Sequence, residues 1–444
     1  MSLEGRRVLF ISYNGMLEPL GQTQVLPYLR ELSKRGVKFT LLSFEKPAAF
    51  TPEGQRECKA LKRELSEQGI EWHWLRYHQR PSLPATIFDV QAGIRYASRL
   101  VQRNKIELVH ARSYIPATIA LALKRKFGIK MIFDVRGLMA EEYVDAEHWP
   151  KGGLRYRITK ATERRIFAAT DGVVTLTERI WPIIKEWEGL KGRDVHHEVI
   201  PCCVDLARFK FDEQERVRLR TALKLGRRLT LVYSGSLDGW YLTEQMADFF
   251  ARVVRKRADA HVLWLTKGSH ERVRQLMTTR GISDDRFSIR AVAPREMPSY
   301  LAAGDVGVAF IKRCFSKLAS SPTKNGEYLA CGLPIVINAG IGDSDSLVDQ
   351  SHAGILIHDF EERDFDGALV EIEKLIGDPN IKSKARAVAE KVFDVNTVGA
   401  AKYARLYEAL LQDDLPQKST KGTNVFAELF LCLLFALFVP FVLQ

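Results

Sequence analysis

Short apolar runs alternate with amphipathic stretches along most of the chain, and this alternation constrains the fold more than any other feature. Val8–Ser12 has the composition of a buried strand, and residues 24–35 follow with Val25, Leu29 and Leu32 at helical spacing. A strand, a loop, a helix and a second strand form the unit from which parallel sheets are built. The same pattern predicts five more strands in this block, at Phe39–Ser43, Ile70–Leu75, Glu107–His110, Lys130–Val135 and Gly172–Leu176.

The alternation stops near Val199–Asp205 and then begins again. Two consecutive blocks of this kind predict an α/β fold with two Rossmann-like domains, at 1–200 and 201–395, that face each other across a cleft. We expect residues 396–413 to form a closing helix. The second block has predicted strands at Leu229–Ser234, His261–Leu265, Phe287–Ala291, Val306–Phe310, Pro334–Ile337 and Gly354–Ile357.

The last residues of the chain have a different composition. After a polar linker at 414–424, residues 425–443 read VFAELFLCLLFALFVPFVL, with Glu428 as the single charge. Nineteen helical residues span about 28 Å, close to the hydrocarbon thickness of a bilayer. This favours a membrane-associated helix over a buried helix that closes the fold. Because no signal peptide is evident and two lysines lie in the linker, we expect the catalytic domains on the cytoplasmic side.

The net charge of +12 indicates a negatively charged partner. Nucleotide phosphates and anionic lipid satisfy this requirement, whereas no nucleic-acid-binding motif accompanies the charge, so we expect no nucleic-acid partner. The six cysteines include no C-x-x-C pair, which disfavours a zinc site and indicates reduced thiols. Asp343-Ser344-Asp345 matches a D-x-D motif only formally, since it reads as the start of a helix, and we expect no metal cofactor.

A loop of small residues at 320–323 opens a short helix that ends before Gly332 and Pro334. The first N–H groups of such a helix attract phosphate, and Lys324 adds a full positive charge beside them. Glu327, one turn into the helix, has the chemistry to accept hydrogen bonds from ribose hydroxyls. An alternative interpretation explains this composition equally well: Ser321 and Thr323 cap the helix, and Lys324 and Glu327 lie on the surface without binding a ligand.

The stretch from Thr323 to Val336 resembles the signature of the retaining family-4 glycosyltransferases, which have the GT-B fold. Here the signature reads Glu327-Tyr-Leu-Ala-Cys-Gly-Leu-Pro-Ile-Val336. Other stretches resemble further motifs of that family, in the same order. They comprise Gly15 and Gly21 in the first strand–helix loop, Glu31–Gly36, Leu108–His110, Ile200–Phe209, Tyr233–Leu237 and Met297–Val306, and with the signature they span roughly residues 8–412.

The resemblance implies transfer of a sugar from a nucleotide-sugar donor to a lipid-linked or saccharide acceptor, with retention and without a metal. It also implies a place in the synthesis of cell-surface polysaccharide or glycolipid. The donor-binding residues that it implies are Gly21, Gln22, Gly235, Lys267, Ser321, Thr323, Lys324 and Glu327, with Lys267 and Lys324 facing the diphosphate.

The sequence departs from the family pattern at two places. A glutamate that usually touches the donor sugar is replaced by Ala319, which leaves the identity of the sugar open. The arginine and lysine that many members carry after the loop at Gly235 are not evident in Asp238–Tyr241.

On the acceptor side, the strand that ends near Val135 carries Asp134 and Arg136. The resemblance implies a polar group near the reacting carbon at this strand end, so both are predicted, with Lys324, as catalytic residues. An Asp–Arg pair that merely holds a loop is an equally good interpretation. A nucleotide-sugar epimerase of the same fold and a non-catalytic nucleotide-sugar- or lipid-binding scaffold are the alternative functions.

Overall fold

The computed structural model describes residues 3–80 and 82–412, without the side chains of residues 82 and 83. Contacts within this part of the chain divide it into two units. The first runs to Pro201 and resumes at Val395, and the second is Cys202–Asp394. The expected closing helix is Ala401–Gln412, and it belongs to the first unit rather than standing apart.

No helix among residues 3–80 and 82–412 combines the length and the apolar character needed to cross a membrane. The predicted linker 414–424 and the predicted membrane-associated helix 425–443 lie outside the described residues.

The first unit has seven parallel strands in the order β3-β2-β1-β4-β5-β6-β7. These strands are β1 (Arg7–Ser12), β2 (Lys38–Glu45), β3 (Ile70–Arg76), β4 (Leu108–Arg112), β5 (Lys130–Asp134), β6 (Gly172–Thr175) and β7 (His196–Val199). The helices between them are α1 (Pro19–Gln24), α2 (Leu26–Lys34), α3 (Pro52–Glu67), α4 (Ser82–Asn104), α5 (Tyr114–Phe127), α6 (Met139–Asp145), α7 (Leu154–Ala169) and α8 (Trp181–Lys185).

The second unit has six parallel strands in the order β10-β9-β8-β11-β12-β13. They are β8 (Leu229–Ser234), β9 (Ala260–Leu265), β10 (Phe287–Arg290), β11 (Val306–Ala309), β12 (Ile335–Asn338) and β13 (Gly354–Ile357). The remaining helices are α9 (Glu213–Ala222), α10 (Thr243–Lys256), α11 (His270–Thr278), α12 (Met297–Ala302), α13 (Thr323–Ala330), α14 (Ser344–Ser351), α15 (Glu362–Gly377), α16 (Ile381–Val392) and, in the first unit, α17 (Ala401–Gln412).

Each sheet is buried on both faces because helices cover it. Every residue of the central strands β4 and β8 is buried, including His110 and Arg112 of β4. In the second unit, Trp264, Phe249 and Phe250 form part of the core against β8. The prediction of two Rossmann-like α/β domains is therefore confirmed, and in each unit the carboxyl ends of all strands lie at one edge of the sheet.

One local expectation was wrong. Gly15 and Gly21 were expected in a loop before a helix that begins near Gln24, but Pro19–Gln24 is a separate helix, α1, that ends at Val25 before α2 begins. Pro19 and Pro27 explain the division, because proline is favoured in the first turn of a helix and disrupts its interior. Gly21 and Gln22 are thus helical residues.

Candidate active site

In the second unit, the predicted loop and helix after β11 are present. Ser320 and Pro322 have an extended backbone, and α13 begins at Thr323. Gly332, with a φ of +77°, takes the left-handed conformation that ends the helix, and Leu333 then leads into β12. The amino end of α13 lies at the carboxyl edge of the sheet, because α13 connects the parallel strands β11 and β12.

Lys324, the second residue of α13, is buried with 8% of its surface exposed. Its ammonium group lies 3.8 Å from the ring centroid of Tyr241 and 5.6 Å from that of Tyr233. Among the described residues it forms no ion pair within 4.0 Å and donates no hydrogen bond. An ammonium group on a buried side chain, without an acceptor and at the amino end of a helix, attracts an anion strongly.

Gly235, immediately after β8, lies directly beneath this lysine. A Cβ atom at Gly235 would stand 2.6 Å from both Cε and Nζ of Lys324. The backbone φ of Gly235 is +138°, which other residues rarely adopt. The structure therefore brings together Gly235 and Lys324, which were both predicted as donor-binding residues and are 89 positions apart (324 − 235).

Glu327 follows Lys324 by one turn on α13 and is partly buried. Burial raises the pKa of its carboxyl group to about 7, although Lys324 and Arg208 act in the opposite direction. Among the described residues the carboxylate forms no ion pair within 4.0 Å and accepts no hydrogen bond. A carboxyl group without partners can accept hydrogen bonds from a hydroxyl-bearing ligand, and it accepts most of them when it is ionised.

Ser321 and Thr323 flank the start of α13. The Ser321 hydroxyl accepts a hydrogen bond from the backbone N–H of Cys202 at 3.1 Å, so it already fixes the first residues of this unit against the loop. Thr323 is partly buried at the first helical position. Of these two hydroxyl groups, that of Ser321 therefore already stabilises the loop through a hydrogen bond.

Lys267 is exposed on the loop after β9, next to β8 in the sheet. The two loops are adjacent, since the Gly235 N–H donates to the Leu265 carbonyl at 2.9 Å and Gly268 lies close to Leu237. Lys267 therefore occupies the same edge of the sheet as Lys324, on a neighbouring loop.

Aromatic residues that were not predicted from the sequence accompany the lysines. The segment Asp238–Tyr241, which lacks the family's cations, supplies the rings of Trp240 and Tyr241 instead. The ammonium of Lys317 lies 3.7 Å from the Trp240 ring centroid, beside the pair formed by Lys324 and Tyr241. Two consecutive aromatic residues in a strand–helix loop were the available signal.

In the first unit, Gly21 and Gln22 make contacts within their own segment. A Cβ atom at Gly21 would stand 2.2 Å from the Gly15 carbonyl oxygen, and Gln22 Nε2 donates to the Met16 carbonyl at 2.6 Å. The Glu45 carboxylate accepts from the Met16 N–H at 2.7 Å and holds the same turn. These contacts give both predicted residues a structural role at the carboxyl end of β1, and Glu45 was not singled out from the sequence.

Asp134 ends β5 and is buried, with 1% of its surface exposed. Its Oδ2 atom accepts a hydrogen bond from the Tyr403 hydroxyl at 2.9 Å and lies 3.5 Å from His110 Nε2. Its Oδ1 atom lies 3.5 Å from Arg136 Nη1. Burial alone would raise the pKa of Asp134, but Arg136, His110 and Arg112 outweigh it and lower the pKa to about 2.

These contacts connect β4 and β5 to α17. His110 Nδ1 lies 2.6 Å from the Tyr407 hydroxyl, and burial lowers the pKa of His110. These contacts agree with the alternative interpretation, in which the Asp134–Arg136 pair stabilises the loop after β5.

Within residues 3–80 and 82–412, no group of three or more His, Cys, Asp and Glu side chains is arranged to hold a metal ion. Asp345 of the formal D-x-D match accepts a hydrogen bond from the Gly340 N–H at 2.8 Å, which fixes the start of α14.

Two family models match the chain, one for each unit. Residues 21–208 match the model described as glycosyltransferase family 4, and residues 228–374 match the model described as glycosyl transferases group 1. Among curated proteins, none matches the chain in sequence.

Solved structures resemble the chain over nearly its whole length. A glycosyltransferase from Rickettsia africae superposes with a TM-score of 0.69 at 12% identity, over 92% of this chain and 99% of that one. Anabaena HepE in complex with UDP-glucose gives 0.64 at 17% identity, over 91% and 99%. A putative UDP-N-acetylglucosamine 2-epimerase from Listeria monocytogenes gives 0.60 at 12% identity, over 93% and 98%.

At these identities the structural likeness establishes the fold, whereas the two sequence models identify the family. The chain belongs to the GT-B glycosyltransferases of the family-4, group-1 type.

Proposed function

We propose that this protein transfers a hexose-like sugar from a nucleotide-sugar donor to a lipid-linked or saccharide acceptor, with retention and without a metal ion. The observation that carries the proposal is Lys324, whose buried side chain places an ammonium group at the amino end of α13 without an ion-pair partner within 4.0 Å among the described residues. A diphosphate supplies the two negative charges that such a site lacks.

In the proposed reaction, the bond between the sugar's anomeric carbon and the diphosphate oxygen breaks, and that oxygen keeps the electron pair. Lys324, the amino end of α13 and, from the neighbouring loop, Lys267 stabilise the negative charge as it develops. The acceptor oxygen forms the new bond on the same face of the sugar, and the departing phosphate takes the acceptor's proton. Positive groups fixed in advance lower the barrier because they need no reorganisation during the step.

We assign recognition of the donor to other residues at the carboxyl edge of the second unit's sheet. Glu327 accepts hydrogen bonds from the ribose hydroxyls, and Thr323 and Ser321 line the start of the helix. Gly235 keeps the space above β8 open for Lys324. On the acceptor side, we assign Asp134 and Arg136 to the reaction because they lie at the carboxyl end of β5. Asp134 acts there by holding Arg136, His110 and Tyr403 in place.

We further propose that the enzyme works at the cytoplasmic face of a membrane, in the synthesis of cell-surface polysaccharide or glycolipid. Nucleotide sugars are made in the cytoplasm, and residues 425–443 have the composition of a membrane-associated helix. The adjacent lysines 418 and 421 agree with this orientation.

A nucleotide-sugar epimerase is the second candidate, and the likeness to the Listeria protein is the observation that favours it. A scaffold that binds nucleotide-sugar or lipid without turnover is the third, because Ala319 replaces a glutamate of the family pattern. The three functions differ in what they do to a donor. A transferase releases nucleotide when acceptor is present, an epimerase interconverts sugars, and a scaffold does neither.

The experiment is a mass-spectrometric screen of the full chain with individual nucleotide sugars and a membrane lipid extract. UDP-glucose is the first donor to test, since HepE was solved with it. We expect one donor to add a single sugar mass to an extracted lipid and to release its nucleotide. A change of the donor's sugar without lipid would identify an epimerase, and binding without any product would identify a scaffold.

A further inference from the structure

A second polar group lies at the carboxyl edge of the first unit's sheet. Asp89 of α4 is buried, with 1% of its surface exposed, and its Oδ1 atom lies 2.6 Å from Nδ1 of His78. Its Oδ2 atom accepts hydrogen bonds from the Tyr13 hydroxyl at 2.8 Å and from the His78 N–H at 3.0 Å. Because a carboxylate accepts hydrogen bonds, this arrangement places the imidazole proton on Nδ1 and leaves Nε2 as an acceptor.

The pair is held rigidly at a place where open α/β sheets bind ligands. Tyr13 follows β1 directly, and His78 comes two residues after the end of β3. The rings of Tyr13 and Tyr77 pack edge to face, with centroids 5.4 Å apart, and the Tyr77 N–H donates to the Glu45 carbonyl at 2.8 Å. The loop that carries His78 is thereby fixed to β1 and β2.

The other side of the imidazole is open. The His78 side chain is 37% exposed, and among the described residues its Nε2 atom forms no hydrogen bond. The buried Asp89 carboxylate therefore fixes the imidazole of His78, while the opposite ring nitrogen remains accessible to a ligand.

Phe88 lies beside this imidazole, on the turn of α4 that carries Asp89. Its ring stands perpendicular to the His78 ring at a centroid distance of 5.1 Å and is 56% exposed. An exposed aromatic face next to a fixed hydrogen-bond acceptor matches a sugar, which has an apolar C–H face and a hydroxyl-bearing edge.

We propose that His78 and Phe88 form a saccharide subsite for the acceptor. Phe88 packs against the C–H face of one acceptor sugar, and His78 Nε2 accepts a hydrogen bond from one of its hydroxyl groups. Asp89 is a positioning residue, since it holds the imidazole in the required tautomer. The proposal rests on the proposed function and adds that the acceptor presents a sugar, rather than a bare lipid phosphate, to this part of the first unit.

The kinetic test compares the full-length wild type with His78→Ala and Phe88→Ala, using the donor and lipid extract identified by the screen. Each variant should raise the half-saturating acceptor concentration about tenfold or more. The donor KM and the slow hydrolysis of donor without acceptor should stay at wild-type values. Leu154→Ala, which truncates another exposed apolar residue of the same unit, is the matched control and should change neither parameter. Unchanged acceptor saturation in both variants would overturn the subsite.

A binding measurement keeps this test independent of turnover. The His78 imidazole nitrogen resonances, assigned by their loss in His78→Ala, are followed while methyl glycosides of glucose, galactose and N-acetylglucosamine are added. We expect at least one glycoside to shift the Nε2 resonance in the wild type and not in Phe88→Ala. If no glycoside shifts it, the subsite is wrong even where sugar transfer is observed. If a glycoside shifts it and no donor is turned over, the subsite stands and the proposed transferase activity falls.

Discussion

The Lys324 side chain fills the space in which a side chain at Gly235 would lie, with Cε and Nζ both 2.6 Å from the position of that absent Cβ. The glycine therefore determines where the lysine's charge is held. Tyr241 completes the arrangement, because its ring attracts the ammonium without neutralising it. The positive charge thus remains available to a ligand.

Replacement of the lysine tests this charge directly. Lys324→Ala should reduce kcat/KM by about 30- to 1000-fold, which corresponds to a loss of about 2–4 kcal/mol in the transition state. The Tm should change little, since no ion pair or hydrogen bond of Lys324 is broken. Steady-state kinetics of purified protein check this, with Lys391→Ala on the exposed surface of α16 as the control. Wild-type kcat/KM in Lys324→Ala would remove α13 from the mechanism.

Replacement of the glycine should have a similar effect by a different route. In Gly235→Ala, the new methyl group displaces Lys324, and the φ of +138° adds backbone strain of about 1–3 kcal/mol. Turnover and Tm should therefore both fall. Gly239→Ala is a matched control in the same loop, because its φ is +63° but its Cβ meets no atom within 4 Å. It should lower the Tm and leave kcat/KM close to wild type; equal kinetic losses in the two variants would contradict the steric argument.

Glu327 predicts a pH dependence of stability. Its pKa is about 7 in the folded chain, above the ordinary value of 4.5 that we take for the unfolded chain, so the folded state binds the proton more tightly. The stabilisation from this proton is complete below about pH 4.5 and is lost as the pH rises through about 7. The wild type should accordingly lose Tm relative to Glu327→Gln over this range, as measured by thermal unfolding at several pH values. Glu271→Gln, at an exposed position of α11, should follow the wild type.

The same variant bears on donor binding. Glu327→Gln should raise the donor KM, because an amide oxygen accepts weaker hydrogen bonds from the ribose hydroxyls than a carboxylate does. Glu327→Ala should raise it further, because no acceptor remains. An alternative role at the helix terminus is worth only about 0.3–1 kcal/mol of stability. A lowered Tm with an unchanged donor KM in Glu327→Ala would establish that alternative and exclude the ribose contact.

The Asp134 network predicts a loss of stability on mutation. Asp134→Asn leaves Arg136 beside an uncharged group and should lower the free energy of unfolding by about 3–5 kcal/mol. Tyr403→Phe removes one hydrogen bond to a charged acceptor and should cost about 1.5–3 kcal/mol. Denaturant unfolding measures both, with Tyr300→Phe in the second unit as the control. A fall in sugar transfer without any change in stability would instead place Asp134 in the chemistry.

The segment 425–443 predicts how activity depends on the membrane. A chain truncated after Asp414 should stay folded and turn over a short, water-soluble acceptor. It should lose most activity on an acceptor embedded in lipid vesicles, because the segment raises the local concentration of enzyme at the lipid rather than building the site. Misfolding of the truncated chain, or a full-length protein that remains in solution without detergent, would show that the segment closes the fold instead.

Strands with continuous apolar runs could be predicted from the sequence, and Leu229–Ser234 and Gly354–Ile357 have the same bounds in the structure. The strand β7, His196–Val199, could not, because two histidines and a glutamate at the sheet's edge carry no apolar pattern. The helix Pro52–Glu67 was missed although Cys58, Leu61 and Leu65 recur at helical spacing.

The candidate site was only partly predictable for a related reason. Lys324 and Glu327 carry the signature of a phosphate-binding helix within a few residues. The contact of Lys324 with Tyr241 joins positions 83 apart (324 − 241), and the connection of His78 to Asp89 depends on the tertiary course of α4. Such contacts follow from the fold and leave no local pattern.

The position of α17 also has a consequence for the order in which the chain can fold during synthesis. Residues 202–394 form the second unit without interruption, whereas the first unit needs Tyr403 and Tyr407, which are synthesised after all of the second unit. The second unit can therefore complete its core while His110 and Asp134 still wait for their partners. A ribosome stalled when residue 394 has just left its exit tunnel would thus carry a finished second unit and a first unit that was begun earlier but still lacks α17.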